Sequence, residues 1–186
     1  MNIVISGMSC SGKSTFADEF KNFLHFEEDW YFKDKKDIPC VRSGYLFDSI
    51  NAFNVSELKS DVDKLLRDGS VLVPNYDVVN NRRIDKNRVV YKEDINVFEG
   101  LHMISILKDL RDTVSVFLDT DLDLCLKRRI ERDKKYGISE DVIVSYFRDV
   151  MIPMYECYIL PQKKYSDYVI KGDEDKLCLL KKFQKY

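Results

Sequence analysis

The residues best suited to chemistry lie near the start of the chain, where segment 7–15 reads GMSCSGKST and matches the pattern G-x-x-x-x-G-K-[ST]. Gly7 and Gly12 permit a tight turn whose backbone N–H groups face phosphate oxygens. Lys13 would supply a cation to the β- and γ-phosphates, and the Ser14 hydroxyl can bind Mg²⁺. The predicted phosphate-site residues are Gly7, Ser9, Cys10, Ser11, Gly12, Lys13, Ser14 and Thr15.

The sequence on either side of this segment supports a phosphate-binding loop. The apolar run 2–5 predicts a buried strand, and Phe16, Phe20, Phe23 and Leu24 follow it at helical spacing. Strand, glycine loop and helix form the context that such loops require. The alternative is a Gly/Ser-rich turn that precedes a helix by coincidence, and the flanking pattern favours the phosphate loop. The sequence thus predicts a nucleoside triphosphate ligand.

Length and composition describe an ordinary globular protein. The chain has 186 residues, of which 45% are hydrophobic and 33% charged, and its formal net charge is −2. We expect a single domain over residues 1–186 with a full hydrophobic core. Lysine and arginine are spread along the chain, so nucleic acid is not favoured as a partner, whereas a small anion needs only a local cluster. Self-association into a homo-oligomer stays open.

The cysteines and the apolar runs bear on location. The five cysteines are scattered without a C-x-x-C pair, which is typical of reduced intracellular thiols rather than of disulfides or a metal site. No apolar stretch approaches the length of a membrane span, and the first strand begins too early for a signal peptide. We therefore expect a cytoplasmic protein without a membrane partner.

Short apolar runs alternate with helical patterns along the chain. The predicted strands cover residues 2–5, 26–31, 71–74, 95–100, 114–119 and 168–170. The predicted helices follow the first loop, Asn54, Asp121 and Ser139, with a kink or stop near Pro153, and a last helix carries Leu177, Leu180 and Phe183. This alternation predicts an α/β fold with a parallel sheet covered by helices on both faces. The polar run 77–88 predicts an exposed hairpin.

Two carboxylates are expected at the carboxyl ends of strands, which is the edge of a parallel sheet where ligands bind. Asp29 closes the predicted second strand and is the candidate base toward an acceptor hydroxyl. Glu99 ends the apolar run 95–98 and is the candidate Mg²⁺ partner, in direct contact or through a second sphere. The alternative for both is a surface carboxylate at the start of a loop.

The remaining candidates are basic side chains. Arg128 and Arg132 can share one helix face with Arg129 beside them, where they could stabilise the charge of a transferring phosphoryl group. The pattern by itself favours a solvated charged face over this role. His25 and His102 have no partner at metal-binding spacing, and we interpret both as structural residues.

Several segments, taken in order, resemble one family. They are 29–32 (DWYF), 47–53 (FDSINAF), 74–77 (PNYD) with Arg82, 97–100 (VFEG), 117–121 (FLDTD) with 128–133 (RRIERD), and 160–167 (LPQKKYSD). In order and spacing, from residue 2 to about residue 170, they resemble the uridine kinase family of P-loop nucleoside kinases. The resemblance implies a P-loop kinase fold with a five-stranded parallel sheet, a substrate-side hairpin and loops at about 38–92, and a lid at about 127–140.

The resemblance also implies an activity, namely ATP- or GTP-dependent phosphorylation of the 5′-hydroxyl of a ribonucleoside such as uridine or cytidine, with Mg²⁺. It makes Asp29 the catalytic aspartate, Ser14 and Glu99 the magnesium partners, and Asp48 the acid that holds the ribose hydroxyls. The other implied site residues are Lys13, Arg129 and Arg132 for catalysis, Arg128 for the nucleotide, and Phe47, Tyr76, Asn81, Arg82 and Tyr146 for the nucleoside.

The residues expected to recognise the base depart from the family. Asn81 stands where uridine kinases carry a histidine, and Tyr146 replaces a glutamine. Segments 47–48 and 146–147 are similar to nicotinamide riboside kinases, in which two aromatic side chains clamp a flat base. Phe47 and Tyr146 could hold a pyridinium ring by cation–π contact. A nicotinamide riboside kinase is therefore the alternative within the kinases, and a P-loop regulatory protein is the alternative from another class.

Overall fold

The computed structural model describes residues 1–171 and 173–183, so residues 172 and 184–186 of the predicted domain lie outside the described residues. In chain order the strands are β1 (Asn2–Gly7), β2 (Phe23–Glu27), β3 (Cys40–Val41), β4 (Gly44–Tyr45), β5 (Ser70–Asp77), β6 (Arg82–Tyr91), β7 (Ile95–Gly100), β8 (Thr113–Leu118) and β9 (Tyr168–Ile170). The α-helices are α1 (Lys13–Ala17), α2 (Val55–Asp68), α3 (Met103–Ile106), α4 (Leu122–Asp133), α5 (Glu140–Tyr146), α6 (Ile152–Met154) and α7 (Asp173–Phe183).

The central sheet has five parallel strands in the order β2-β7-β1-β8-β9. Successive side chains of β1 alternate between its faces, since Ile3 and Ile5 pack into one apolar cluster and Val4 packs into another. The first cluster lies under α1 and α7, where Phe16 and Phe183 are buried. The second cluster takes in the apolar face of α2 and the helical segments after α5. The predicted parallel sheet with helices on both faces is confirmed.

The run 71–74, predicted as a strand, belongs to a separate two-stranded antiparallel hairpin formed by β5 and β6. Its register shifts between Val73 and Asn75. The intervening residue is Pro74, which has no N–H to donate to the ladder, so a shift at this point is expected. The exposed hairpin predicted around 77–88 is confirmed, and β6 extends it to Tyr91.

The helix predicted after the phosphate loop is too long. Helix α1 ends at Ala17, and the chain continues in tighter turns in which the Phe20 N–H bonds to the Ala17 carbonyl. Asn22 then adopts a positive φ of 49°, which reverses the chain into β2. Phe20 keeps its buried place, and Phe23 begins β2 instead of extending the helix. The apolar side chains recur at helical spacing, but successive turns bury Phe20 without a continuous helix.

The later helices begin where the sequence places them. Asp121 precedes α4, and its side chain accepts the N–H groups of residues 123 and 124. Asn54 precedes α2 without a side-chain cap, and Gly69 ends that helix with φ 83°. After α5 the chain winds through two π-helical segments around Pro153, as expected for a residue that interrupts helical hydrogen bonding. Across the described ranges, no helix is both long and apolar enough to cross a membrane.

Candidate active site

A cavity of about 1250 Å³ opens at the carboxyl edge of the central sheet. The predicted site residues that line it are Ser9, Cys10, Gly12, Lys13, Ser14, Thr15, Asp29, Phe47, Asp48, Tyr76, Asn81, Glu99, Arg128, Arg129, Arg132 and Tyr146. Gly7, Ser11 and Arg82 are absent from the lining. The fold therefore gathers nearly all of the predicted side chains, which are up to 137 positions apart in sequence (residues 9 to 146), around one space.

The phosphate loop forms one end of this cavity. A Cβ atom at Gly7 would lie 2.7 Å from the Leu118 carbonyl oxygen, so only glycine allows the loop to leave the sheet here. Gly12 has φ 94° and Cys10 has φ 65°, both in the left-handed region. The Lys13 ammonium donates to the Met8 carbonyl at 3.0 Å, which holds its side chain across the loop. These contacts and backbone angles define the shape of the loop.

Ser14 and Glu99 meet where the loop joins the sheet. The Ser14 hydroxyl donates to Glu99 Oε1 at 2.7 Å, and His25 Nε2 lies 3.5 Å from the same oxygen. Burial favours the neutral form of Glu99, but its interactions with His25, Lys13 and Ser14 outweigh this and hold its pKa below the usual value. Glu99 is therefore a carboxylate. His25, interpreted from sequence as structural, lies beside a predicted metal partner.

These two residues fit a hydrated magnesium ion. Among the residues that the structure describes, no group of three His, Cys, Asp or Glu side chains is placed to hold a metal. Mg²⁺ needs no such cage, because it keeps several waters and binds through one or two protein oxygens plus substrate phosphates. A serine hydroxyl and a carboxylate in mutual contact supply oxygen donors of the required kind.

Asp29 lies in a 3₁₀ turn (Glu28–Tyr31) and not at the end of a strand, so the predicted strand 26–31 is wrong in its bounds. The pairing of β2 with β7 ends at Glu27, and the turn then projects Asp29 into the cavity. Loss of bulk water around the carboxyl, followed by the charge of Glu99, raises the pKa of Asp29 to about 7, against the opposing effect of Lys13. Its exposed surface faces the cavity, so an occupant would remove the remaining water.

Asp48 lines the same cavity and is 5% exposed. Its Oδ2 atom is buried without a hydrogen-bond partner among the described residues. Burial raises the pKa of Asp48, and the charges of Arg129, Lys13 and Arg132 oppose that rise. An unpaired buried carboxylate oxygen is costly unless something binds it.

The three arginines of α4 all reach the cavity. Arg128 Nη1 lies 3.3 Å from the Ser11 carbonyl, and Arg129 Nη1 donates to Ser9 Oγ at 3.1 Å. The spacing of these arginines favoured a solvated helix face, and this prediction is wrong, because all three side chains line the cavity. Asp133, which was not predicted from the sequence, holds two of them. It is buried and accepts Nε–H groups from Arg129 at 2.6 Å and from Arg132 at 2.8 Å. The i,i+4 spacing of Arg129 and Asp133 was the available signal.

Aromatic side chains make the wall between Asp48 and the hairpin. The Tyr146 hydroxyl donates to the Tyr45 carbonyl at 2.6 Å, and the Tyr45 and Phe47 rings lie 6.0 Å apart. Lys35, also missed from sequence, lines the same wall with its ammonium 4.9 Å from the centre of the Tyr45 ring. The buried Tyr76 hydroxyl has no hydrogen-bond partner among the described residues.

Two of the predicted site residues, Arg82 and Ser11, lie outside the cavity lining. The side chain of Arg82 is 68% exposed and lies near Asp77, with a nitrogen–oxygen distance of 3.9 Å, outside the cavity lining. Strand β6 begins at Arg82, so the hairpin carries this side chain away while the preceding Asn81 faces the cavity. Ser11 is buried, and its carbonyl accepts the Thr120 hydroxyl at 2.9 Å. Its Oγ atom is buried without a hydrogen-bond partner among the described residues.

The sequence model of the phosphoribulokinase/uridine kinase family matches residues 2–177. The chain belongs to this family. The predicted family is confirmed, together with the P-loop kinase fold and the assignment as a kinase, and the family implies a nucleotide as phosphoryl donor.

Curated relatives and a solved structure agree with the family assignment. A uridine kinase of Mycoplasma genitalium is 32% identical over 181 residues, covering 90% of this chain and 83% of that protein. A uridine kinase of Staphylococcus aureus is 32% identical over 188 residues, covering 95% and 90%. The phosphoribulokinase structure from Rhodobacter spheroides superposes with a TM-score of 0.56 at 16% identity, over 91% of this chain and 70% of that one. This last likeness concerns the fold alone.

Proposed function

We propose that this family member is a nucleoside kinase that transfers the γ-phosphoryl group of ATP to the 5′-hydroxyl of a ribonucleoside, with uridine or cytidine as acceptor. One observation carries the proposal. The cavity that is lined by the phosphate loop is also lined by Asp48 and Tyr76, whose Oδ2 atom and hydroxyl oxygen are buried without partners among the described residues. Both atoms suit the hydroxyls and polar edge of a nucleoside.

On the nucleotide side, the loop amides, Lys13 and the α4 arginines would bind the triphosphate. Arg129 and Arg132 are held on Asp133, which fixes planar donors toward the place where the charge of the transferring group spreads. Ser14 and Glu99 would hold Mg²⁺, which when bound neutralises phosphate charge. The protein contributes mainly positioning and charge, as phosphoryl transfer requires.

Asp29 would accept the proton of the 5′-hydroxyl. A base is most effective when its pKa is near the working pH, and the pKa of about 7 meets that condition. The carboxylate lines the same cavity as Lys13 and Glu99, which supports a role for it next to a bound triphosphate. The proton therefore moves from the attacking oxygen to a group that is already in contact with the acceptor.

On the acceptor side, Asp48 would accept hydrogen bonds from the two ribose hydroxyls. A buried carboxylate oxygen without a partner is costly, so pairing with these hydroxyls is favourable. A deoxy sugar would leave one carboxylate oxygen unpaired, so the site should discriminate against it. Phe47, Tyr146 and Tyr76 would enclose the base.

Lys35 in the aromatic wall favours an uncharged base over the positively charged pyridinium ring of nicotinamide riboside. The ammonium of Lys35 lies against the Tyr45 ring, where it would repel a pyridinium and compete with it for the aromatic surface. The amide of Asn81 can both donate and accept, which suits the edge of uracil or cytosine.

The test is phosphate transfer from γ-labelled ATP to a panel of uridine, cytidine, nicotinamide riboside, adenosine and 2′-deoxyuridine. We expect uridine and cytidine 5′-monophosphates, weaker product from 2′-deoxyuridine, and no transfer when Mg²⁺ is omitted. Transfer to nicotinamide riboside alone would replace this proposal by the alternative within the kinases. Tight ATP binding with no transfer to any acceptor would support the regulatory class.

A further inference from the structure

His102 joins two parts of the acceptor site without lining the cavity. Its side chain is 1% exposed, and Nε2 lies 2.9 Å from the backbone carbonyl oxygen of Asp48. Burial lowers the pKa of His102 to about 4, so the ring is neutral at physiological pH. A carbonyl oxygen can only accept, so Nε2 carries the proton and donates it to Asp48.

The backbone of His102 is fixed from the other side. Its N–H donates to Glu28 Oε2 at 2.9 Å, and Glu28 directly precedes Asp29. The packing is close, since a Cβ atom at Gly100 would lie 2.3 Å from the Cβ of Glu28. The ring of Phe53 meets the imidazole edge to face, with 5.8 Å between ring centres. These contacts connect His102 directly to the turn that carries Asp29.

Asp48 depends on this contact because the chain around it is irregular. It lies between the short strand β4 and a 3₁₀ turn (Ile50–Ala52), where the Ser49 N–H bonds to the Leu46 carbonyl. The carboxylate oxygen Oδ2 has no partner among the described residues. A carboxylate that must meet two sugar hydroxyls needs its backbone held to within about 0.5 Å.

We infer that His102 is a positioning residue, which through the Nε2–H bond to the Asp48 carbonyl sets the distance between the sugar-holding acid and the Asp29 turn. The inference rests on the proposed nucleoside kinase function. This bond should therefore affect the preference for a ribonucleoside over a deoxyribonucleoside. If Asp48 is displaced, its hydrogen bonds to the ribose hydroxyls weaken, whereas the phosphate loop does not use this bond.

The experiment compares two amide variants of the full chain. In His102→Gln the amide nitrogen reaches as far from the backbone as Nε2 does and can donate to Asp48. In His102→Asn the side chain is one carbon shorter and cannot. Both replacements are polar and both retain the backbone bond to Glu28. Steady-state kinetics are measured for uridine, 2′-deoxyuridine and ATP, with thermal unfolding as the measure of folding.

We expect His102→Asn to raise the KM for uridine about tenfold, the effect of one lost buried hydrogen bond, and to narrow the preference for uridine over 2′-deoxyuridine. The KM for ATP should stay unchanged, and His102→Gln should restore most of the preference at equal thermal stability. Equal preferences in both variants and the wild type would overturn the inference, as would a parallel loss of ATP affinity or a variant that does not fold. A wild-type chain that phosphorylates no nucleoside would instead overturn the proposed function.

Discussion

The two ends of the cavity are prepared for their ligands in different ways. At the phosphate end, Lys13 is bonded to Met8 and Ser14 is bonded to Glu99 within the protein. Ser11 Oγ, by contrast, is buried there without a hydrogen-bond partner among the described residues. At the acceptor end, Asp48 and Tyr76 each present a buried oxygen that also has no such partner. The side chains expected to bind phosphate and Mg²⁺ are thus held by the protein, whereas two oxygens of the acceptor end are left to pair with a ligand.

This difference has an energetic meaning. A preorganised cradle loses little order when it binds, so its contribution to affinity depends mainly on charge. Unpaired buried oxygens destabilise the empty protein and are stabilised by the occupant that pairs with them. We therefore expect nucleotide affinity and acceptor affinity to respond to different substitutions, with Asp29 at the boundary between the two ends.

The largest effect should come from Asp29→Asn, which tests that boundary. The amide cannot accept the hydroxyl proton, so kcat for uridine should fall by roughly 100- to 10,000-fold. ATP affinity should be nearly unchanged, because Asp29 is not among the residues proposed to bind the triphosphate or Mg²⁺. Single-turnover transfer and nucleotide titration on the same sample measure both quantities. Normal turnover would remove Asp29 from its proposed role, and loss of ATP binding would show that the two ends are not separable.

A smaller effect is expected from Asp48→Asn, which changes the acid proposed to bind the sugar. The neutral amide loses the charge-assisted bonds to the sugar, so the KM for uridine should rise roughly 10- to 100-fold. The KM for ATP should not change. Kinetics at saturating ATP and at saturating uridine separate the two constants. If the ATP constant rises in parallel, the contrast between the two ends is wrong.

The last prediction concerns stability instead of turnover and tests Glu28, whose carboxyl oxygen Oε2 accepts the His102 N–H. Burial raises the pKa of this carboxyl from 4.5 to about 8. A raised pKa means that the folded state binds the proton more tightly, so the stability due to protonation is complete below pH 4.5 and is lost as pH rises toward 8. Relative to Glu28→Gln, the wild type should lose stability across this window by up to about 1.4 kcal/mol per pH unit.

The measurement is denaturant unfolding of both proteins at several pH values between 5 and 8. Glu19→Gln, on the exposed surface, is the control for removal of a carboxylate in general. A difference between wild type and Glu28→Gln that stays flat with pH would contradict the buried, proton-binding environment of Glu28.

The parallel sheet and the phosphate loop could be predicted from the sequence because both depend on residues that are close together in the chain. A two-residue period of apolar side chains defines which faces of β1 are buried, and the nine residues of segment 7–15 carry their own turn geometry. The prediction failed at the end of α1 because apolar spacing cannot distinguish a continuous helix from successive turns that bury the same Phe20. Asp29 was found from its position after a predicted strand, whereas Asp48 was found only from the family resemblance.

The amino-acid sequence was sufficient to predict a nucleotide-binding kinase with a phosphate-binding loop at the edge of a parallel sheet. Which side chains line the cavity depends on how the elements pack. Arg82 and Asn81 are neighbours in sequence and diverge at the start of a strand, while Asp133 and His102 gain their roles from contacts with other elements. The physical reason is that a loop carries its own backbone geometry, whereas a side chain that is held by distant partners has no position until the core is packed.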